Sequence, residues 1–475
     1  MEKSSFKVII VGCSITGMTL GHCLDRAGID YVILEKHENI FAEPGVSLGL
    51  MPNGSRILEQ LGIYSGVDEI YEPIHKIYQF LPDGYCIETD SPVKIVERQE
   101  LFGLPFCVIA RQHFLQVLYA KFEDKSRIHM SKKVVEISHG KSNVSVTAAD
   151  GTTYEGDLVV GADGIHSAVR SEMWRIGNSE QAGFITETEK SELSAEFACV
   201  FGVCKAVPGQ GRWEHILRYN EGFCFMFFPA TGTDVFFNVI YKLKQKYKYP
   251  NIPRFTQEDA FKVCESVGDF PVWKDIKFRD VWEQRTSFAI VALEEHMFTN
   301  WHHRRIVCVG DSISKMTPNM GQGANTAIET VAALTNELRT LVKANHPEKP
   351  SEYELNNMLQ RFNRKQFRRL TAVHGDARYV TRLEALDGAM HWIFARYVMG
   401  HCGDVLLGNT ARIVSGGKVL DFIPLTARSG KDWPPCPWQH SFGISDMIDF
   451  CKKMSIAFLI ALVALVLGAF GAGRH

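Results

Sequence analysis

VIIVGCSITG, residues 8–17, with Glu35 closing the next apolar run, is the stretch whose reading decides the fold. Phe6 to Val11 reads as a buried strand, Gly12 to Gly17 as a tight turn, the residues to about Ala27 as a helix, and Tyr31 to Leu34 as a second strand. That order is the opening of a βαβ dinucleotide unit. Gly12 permits the turn, Gly17 lets helix and strand approach closely, and the helix N-terminus offers unpaired N–H groups and a positive dipole end to a pyrophosphate. Glu35 can accept hydrogen bonds from both hydroxyls of an adenosine ribose. Ser14 stands where the fingerprint has its middle glycine, and its hydroxyl can itself donate to a phosphate. An acid at the second strand's end suits NAD as well as FAD, so this segment alone leaves the cofactor open.

Two further segments make that choice. In DLVVGADGIHSAVR, residues 157–170, an apolar strand from Leu158 to Val160 runs into Gly161, Asp163 and Gly164, with Ser167 and Arg170 following. Such a turn can set an aspartate and its backbone beside a bound nucleotide. In RIVCVGDSISKMTPNMGQGAN, residues 305–325, the strand Arg305 to Val309 delivers Gly310 and Asp311 at its carboxyl end, where open α/β sheets bind ligands. Asp311 is placed to accept from a ribityl hydroxyl. The loop Gly321-Gln322-Gly323-Ala324-Asn325 then opens a helix to roughly Thr340, whose N-terminus would face the pyrimidine edge of an isoalloxazine.

On these three motifs, in this order, the chain resembles the group A flavin monooxygenases, the family of para-hydroxybenzoate hydroxylase, over roughly residues 6 to 380. The resemblance implies FAD held by Gly12, Ser14, Gly17, Glu35, Asp163, Asp311, Gly321, Gly323 and Ala324. It adds Arg111, which opens the helix of ARQHFLQVL, and the loop Gly45 to Gly49, which approaches ring and ribityl. The family's histidine three residues after the third motif's aspartate is Ser314 here, which touches fine tuning near the flavin and not binding itself. KMTPNMGQGAN and GVSLGLMPNGSRILEQLGI look like the fungal epoxidases of meroterpenoid and indole-diterpene biosynthesis. That implies epoxidation of a prenyl (farnesyl or geranylgeranyl) chain on an aromatic or polyketide-derived intermediate, with NADPH as transient reductant and functional coupling to a membrane terpene cyclase.

Composition agrees. With 475 residues and 45% hydrophobic content the chain exceeds one ordinary domain and supports a large core. With 52 basic against 54 acidic residues, no overall charge draws it to nucleic acid. The 12 cysteines are scattered without a C-x-x-C pair, which reads as reduced thiols on the cytosolic side. His302-His303 lack metal-site spacing and read as a solvated loop, so no metal is expected. The first apolar run ends at Gly12 as a nucleotide strand and is not a signal peptide. Ile456 to Gly473, by contrast, is an uncharged apolar run of 18 residues behind Lys452-Lys453. As a helix it measures roughly 27 Å, close to a bilayer's hydrocarbon thickness. It reads as a single transmembrane helix and anchor, with the catalytic part facing the cytosol at the endoplasmic reticulum.

The expected architecture is α/β: a Rossmann-like FAD-binding domain from 6–75, 100–178 and 283–345, interleaved with a mixed-sheet substrate domain from 76–99 and 180–282. A helical region (346–425), a Pro-rich linker (426–451) and the anchor (452–475) complete it. An alkene takes up oxygen without deprotonation, whereas a phenol reacts best as phenolate and needs a base or cation, so an epoxidase pocket should be largely apolar. Arg218 and Tyr219, in HILRYNEGFCFMFF, are the candidates for a polar contact there, Tyr219 ahead because a phenol can donate to oxygen and still pack on an apolar chain. An ordinary sheet tyrosine with its hydroxyl at the surface is the plain alternative. Two other functions stay open: an aromatic hydroxylase of the same fold, and a non-catalytic flavin-binding membrane scaffold.

Overall fold

The computed structural model describes residues 6–41, 47–90, 103–207, 209–211, 213–230, 232–401 and 412–429. The apolar run after Phe6 becomes the strand Lys7–Val11 inside a six-stranded sheet. Asp30–Leu34 lies parallel on one side and Leu158–Gly161 parallel on the other, Ile10 facing Ile33 and Val160. Ile306–Cys308 continues the parallel order beyond Leu158–Gly161, and the short strands Ile128–His129 and His302–His303 form the edges. His302-His303, expected as a solvated loop, are thus an edge strand, paired antiparallel to Ile306–Cys308. Helices explain why these strands are apolar on both faces. Ile15–Ala27 and Gln322–Asn345 pack on one another, and Ala168–Glu180 packs on the strands Leu158–Gly161 and Ile306–Cys308. The three segments read from the sequence therefore leave three adjacent parallel strands at their carboxyl ends.

A second sheet has eight strands, in the order Ser314–Lys315, Arg285–Met297, Ser194–Cys204, Val235–Lys248, Phe223–Pro229, Glu214–Asn220, Lys76–Phe80 and Cys86–Asp90. All neighbours are antiparallel except Glu214–Asn220 with Lys76–Phe80. One of its faces buries an aromatic layer, with Phe225 stacked on Phe278 at 4.7 Å and Phe237 edge-on to Trp282. The other carries Phe197, Leu217, Tyr219 and Met226 against Leu383 and Phe394.

The helix Glu352–Glu384, 33 residues long, connects the two sheets. Ser351 and Glu354 cap it reciprocally, satisfying two of its first N–H groups. Its early residues Leu359 and Phe362 join the parallel-sheet core, and Leu383 joins the core of the second sheet.

The α/β architecture stands, but the single transmembrane helix and the single-pass membrane location built on it are corrected. Among the described residues no helix is long and apolar enough to cross a membrane. The stretch from which the anchor was read, 452–475, lies outside the described residues.

Candidate active site

One cavity lies at the parallel sheet's carboxyl edge and a second lies against the eight-stranded sheet. The first is a groove of about 420 Å³ bordered by Gly12, Ser14, Glu35, Arg111, Asp163, Gly164 and Asp311. Gly12 has φ +106°, and a Cβ there would stand 2.4 Å from the Ala162 carbonyl oxygen. Only glycine lets the first loop and the second touch in this way. Gly17 lies beneath, pressed so closely on the turn that a Cβ would fall 1.8 Å from the Gly12 carbonyl oxygen.

Charge is arranged around the groove by short-range bonding. Ser14 holds the N-cap position of the helix Ile15–Ala27, and its hydroxyl accepts from Arg111 Nη2 at 3.1 Å. A guanidinium thus stands beside a helix N-terminus, the place for a pyrophosphate. Glu35 is buried, its two oxygens accepting from the Cys13 N–H at 2.7 Å and the His37 N–H at 2.9 Å. Each oxygen keeps a lone pair that a ribose hydroxyl could use.

Asp163 borders the groove, yet its carboxylate is engaged as a helix cap, accepting from Ser167 Oγ at 2.6 Å and the Val169 N–H at 3.1 Å. Burial pushes its pKa up. Arg170 joins two loops by donating to the carbonyls of Ile165 at 2.6 Å and Ser312 at 2.7 Å. Asp311, in the turn Gly310–Ser312, accepts from Lys315 Nζ and turns its half-exposed side chain to the groove.

The third motif continues to the second cavity. Gly321 precedes the helix Gln322–Asn345, with Gly323 and Ala324 in its first turn. Asn325 binds this turn to the Gly49 segment: its amide donates to the carbonyls of Gly49 and Gly321, and its oxygen accepts from the Met51 N–H. Of the loop Gly45 to Gly49, residues 45 and 46 lie outside the described residues. A Cβ added at Gly164 or Gly323 would meet nothing within 4 Å, so both glycines leave open space along the path. Helix N-terminus, arginine, ribose-facing acid and these two openings fit FAD.

The second cavity, of about 280 Å³, is bounded by the large sheet, by Gly49 to Pro52, by Pro318 to Gln322 and by the end of the long helix. The period of two along Glu214–Asn220 selects its lining. His215, Leu217 and Tyr219 face it, whereas Arg218 lies on the opposite face of the strand, 5.4 Å from the Phe80 ring centre. Arg218 is therefore not a cavity residue, and the sequence pairing of Arg218 with Tyr219 gives way to alternation. Tyr219 is buried and donates its hydroxyl to Gln79 Oε1 at 2.9 Å, so it is not a surface tyrosine.

Sequence reasoning missed the cavity's other polar residues, Glu384, Asn319, His215, Gln79 and Asn238. Burial pushes the Glu384 carboxyl up to about 8, the Tyr219 phenol well above its usual range, and the His215 imidazole down to about 4. His215 Nδ1 lies 2.8 Å from the Phe227 carbonyl, and its ring stacks on Phe228 at 4.1 Å. The signal for Glu384 was an acid on the buried stripe Val373, Ala377, Thr381 and Glu384, spaced four, four and three residues apart.

The FAD binding domain family matches residues 5–353. The chain is 76% identical over 466 residues to the FAD-dependent monooxygenase aurC of Calcarisporium arbuscula, covering 98% of this chain and 96% of that one. It is 46% identical to the FAD-dependent monooxygenase ctvC of Aspergillus terreus, covering 97% and 96%. Klebsiella pneumoniae HpxO, solved with FAD and uric acid, shares the fold at a TM-score of 0.69 and 18% identity, covering 87% of this chain and 97% of that one. On its sequence and on the groove its three loops enclose, the chain belongs to the FAD-dependent monooxygenases of the FAD binding domain family.

Proposed function

We propose that this monooxygenase uses NADPH and O₂ to epoxidise a double bond of a prenyl chain, farnesyl or geranylgeranyl, on an aromatic or polyketide-derived intermediate. The observation that carries the reading is the lining of the second cavity, largely apolar and without Lys or Arg among its described residues. Its ionisable lining groups are held uncharged by burial: Glu384 as the acid, Tyr219 as the phenol and His215 as a weakly basic imidazole. A phenol substrate needs a base or cation to become phenolate, and the cavity has neither an exposed base nor a cation among its described lining residues. Bound FAD supplies the activated oxygen once a nicotinamide has reduced it. The protein's part is to bind, orient and exclude water. Met51, Ile77, Phe106, Phe201 and Met226 offer an apolar wall to a hydrocarbon chain, and Tyr219, oriented by Gln79, is the candidate polar contact near the reacting oxygen.

On this reading the segments 6–75, 100–178 and 283–345 chiefly hold the cofactor, and 76–99 with 180–282 chiefly hold the substrate. The epoxide would be consumed by an acid-catalysed cyclase. Incubating the holoenzyme with NADPH, O₂ and a panel of prenylated aromatics and simple phenols tests the proposal, with products analysed by mass spectrometry and NMR. Gain of one oxygen as an epoxide on the prenyl chain is the expected result. Hydroxylation of the aromatic ring, with the chain untouched, would overturn it in favour of the hydroxylase reading.

A further inference from the structure

The cavity's least explained group is Glu384, an acid 4% exposed at the last turn of the long helix. Its surroundings settle which of its atoms are in use. Thr381 Oγ1 stands 2.7 Å from Asn319 Oδ1, 2.7 Å from Thr317 Oγ1 and 3.0 Å from the Ala377 carbonyl, and with its hydrogen on Asn319 Oδ1 the amide nitrogen is turned toward Glu384. That nitrogen donates to Glu384 Oε2. The Thr317 hydroxyl, 2.7 Å from Thr381 Oγ1 and 3.1 Å from the Ala377 carbonyl, completes the chain of bonds from the other side. Oε2 is thus fixed as an acceptor, and for Oε1 no partner is found among the described residues. The Tyr219 hydroxyl reaches Gln79 Oε1 at 2.9 Å and Met399 Sδ at 3.7 Å and makes no hydrogen bond to Glu384. Burial pushes its carboxyl up to about 8, which favours the acid at neutral pH, and with Oε2 accepting from Asn319 the hydrogen falls to Oε1 of a residue that lines the cavity.

We propose that Glu384, oriented through Asn319 and Thr381, is a specificity-determining residue that donates a hydrogen bond to a carbonyl oxygen of the substrate. The substrate class is then an alkene-bearing chain attached to a carbonyl-containing head, such as a lactone, ketone or ester, and not a hydrocarbon alone. This rests on the epoxidase reading for the chain and adds the head. An uncharged acceptor fits because a cationic head would require an ionised partner, which burial disfavours, and because an acceptor is what the hydrogen on Oε1 can serve.

A matched pair of ligands tests it: one prenyl chain bearing a ketone or lactone head, and the same chain with methylene in place of the carbonyl. Dissociation constants are read from the change each causes in the bound flavin's absorbance, and KM and kcat from NADPH oxidation. Wild-type protein should bind the carbonyl compound at least about tenfold more tightly, equivalent to about 1.4 kcal/mol. Glu384→Gln, whose amide can still donate, should keep most of that preference. Glu384→Leu should erase it through KM, leaving kcat within a few-fold. Thr381→Val, which removes only the hydroxyl that orients Asn319, should reduce the preference about threefold and stands in if Glu384→Leu fails to retain flavin. Equal binding of both ligands by the wild type, an undiminished preference in Glu384→Leu or in Thr381→Val, or tighter binding of an amine-headed chain would each overturn the proposal. Product analysis separates the two readings: a Glu384-dependent preference without epoxide sinks the epoxidase and leaves the docking point, and epoxide without the preference does the reverse.

Discussion

Gly323 begins a helix at an ordinary backbone conformation, and no protein atom lies within 4 Å of where its Cβ would be. Neither chain geometry nor packing calls for glycine there, and the open space beside it is where a cofactor following the third motif would pass. Gly323→Val should fold with a Tm within a few degrees of wild type and lose FAD affinity by tenfold or more, as read by flavin content and fluorescence titration. Unchanged FAD binding would show that the helix start does not approach the cofactor. Asp311→Ala should weaken FAD by about 1.5 to 3 kcal/mol if the carboxylate accepts from the ribityl chain. The same titration checks it, and wild-type affinity would mean that the carboxylate serves Lys315 alone. Both residues stand out in the sequence because they lie within a few positions of one motif at the end of a buried strand. Glu384 and His215 do not, since a carboxyl or an imidazole becomes a neutral cavity group only when distant segments bury it.

Among elements, the groove depends on how the second and third loops are held together, and Arg170 does this from within a helix. Its guanidinium bonds to carbonyls in both loops and lies 3.8 Å from the Phe298 ring centre. Arg170→Leu leaves two carbonyls without their donor, at an expected cost of about 3 kcal/mol. Urea unfolding should show the loss, with FAD release preceding global unfolding as the loops separate. Coincident transitions would show that the loops are held by other contacts. The strands and helices themselves were readable. Lys7–Val11 falls within a residue of expectation and Ile15–Ala27 ends where expected but starts three residues early, inside the expected turn, because a buried parallel strand and a glycine turn are local patterns. Which face of Glu214–Asn220 meets the cavity was not local. It depends on the long helix covering one side, which is why Tyr219 and Arg218 could not be separated beforehand. For the tail the apolar run was plain, but no described helix bears the spanning function assigned to it.

At the scale of the molecule, buried histidines set the response to acid. His139, His215 and His302 are each pushed down from 6.5 to about 4 by burial. The unfolded chain takes up these protons below pH 6.5 and the folded chain refuses them, so the stability they contribute is complete above 6.5 and is lost as pH falls toward 4. Glu384, raised to about 8, works oppositely: its contribution is complete below 4.5 and is lost as pH rises toward 8. Between 4.5 and 6.5 these four groups leave a balance of two protons, up to about 3 kcal/mol lost per unit of acidification, and His22, His296 and His374, also lowered by burial, act in the same direction. Urea midpoints at pH 7, 5.5 and 4.5 check this, and a flat profile would contradict the burial of these rings. His215→Phe should reduce the slope by about one proton. The helix Glu352–Glu384 has a further consequence. Rooted in one core and ending at the cavity, it is a ruler of fixed length, and one inserted residue would turn Glu384 by about 100° and advance it about 1.5 Å. Substitution on the sheet side, by contrast, changes one alternate position at a time, so the cavity's shape can be altered there without moving Glu384.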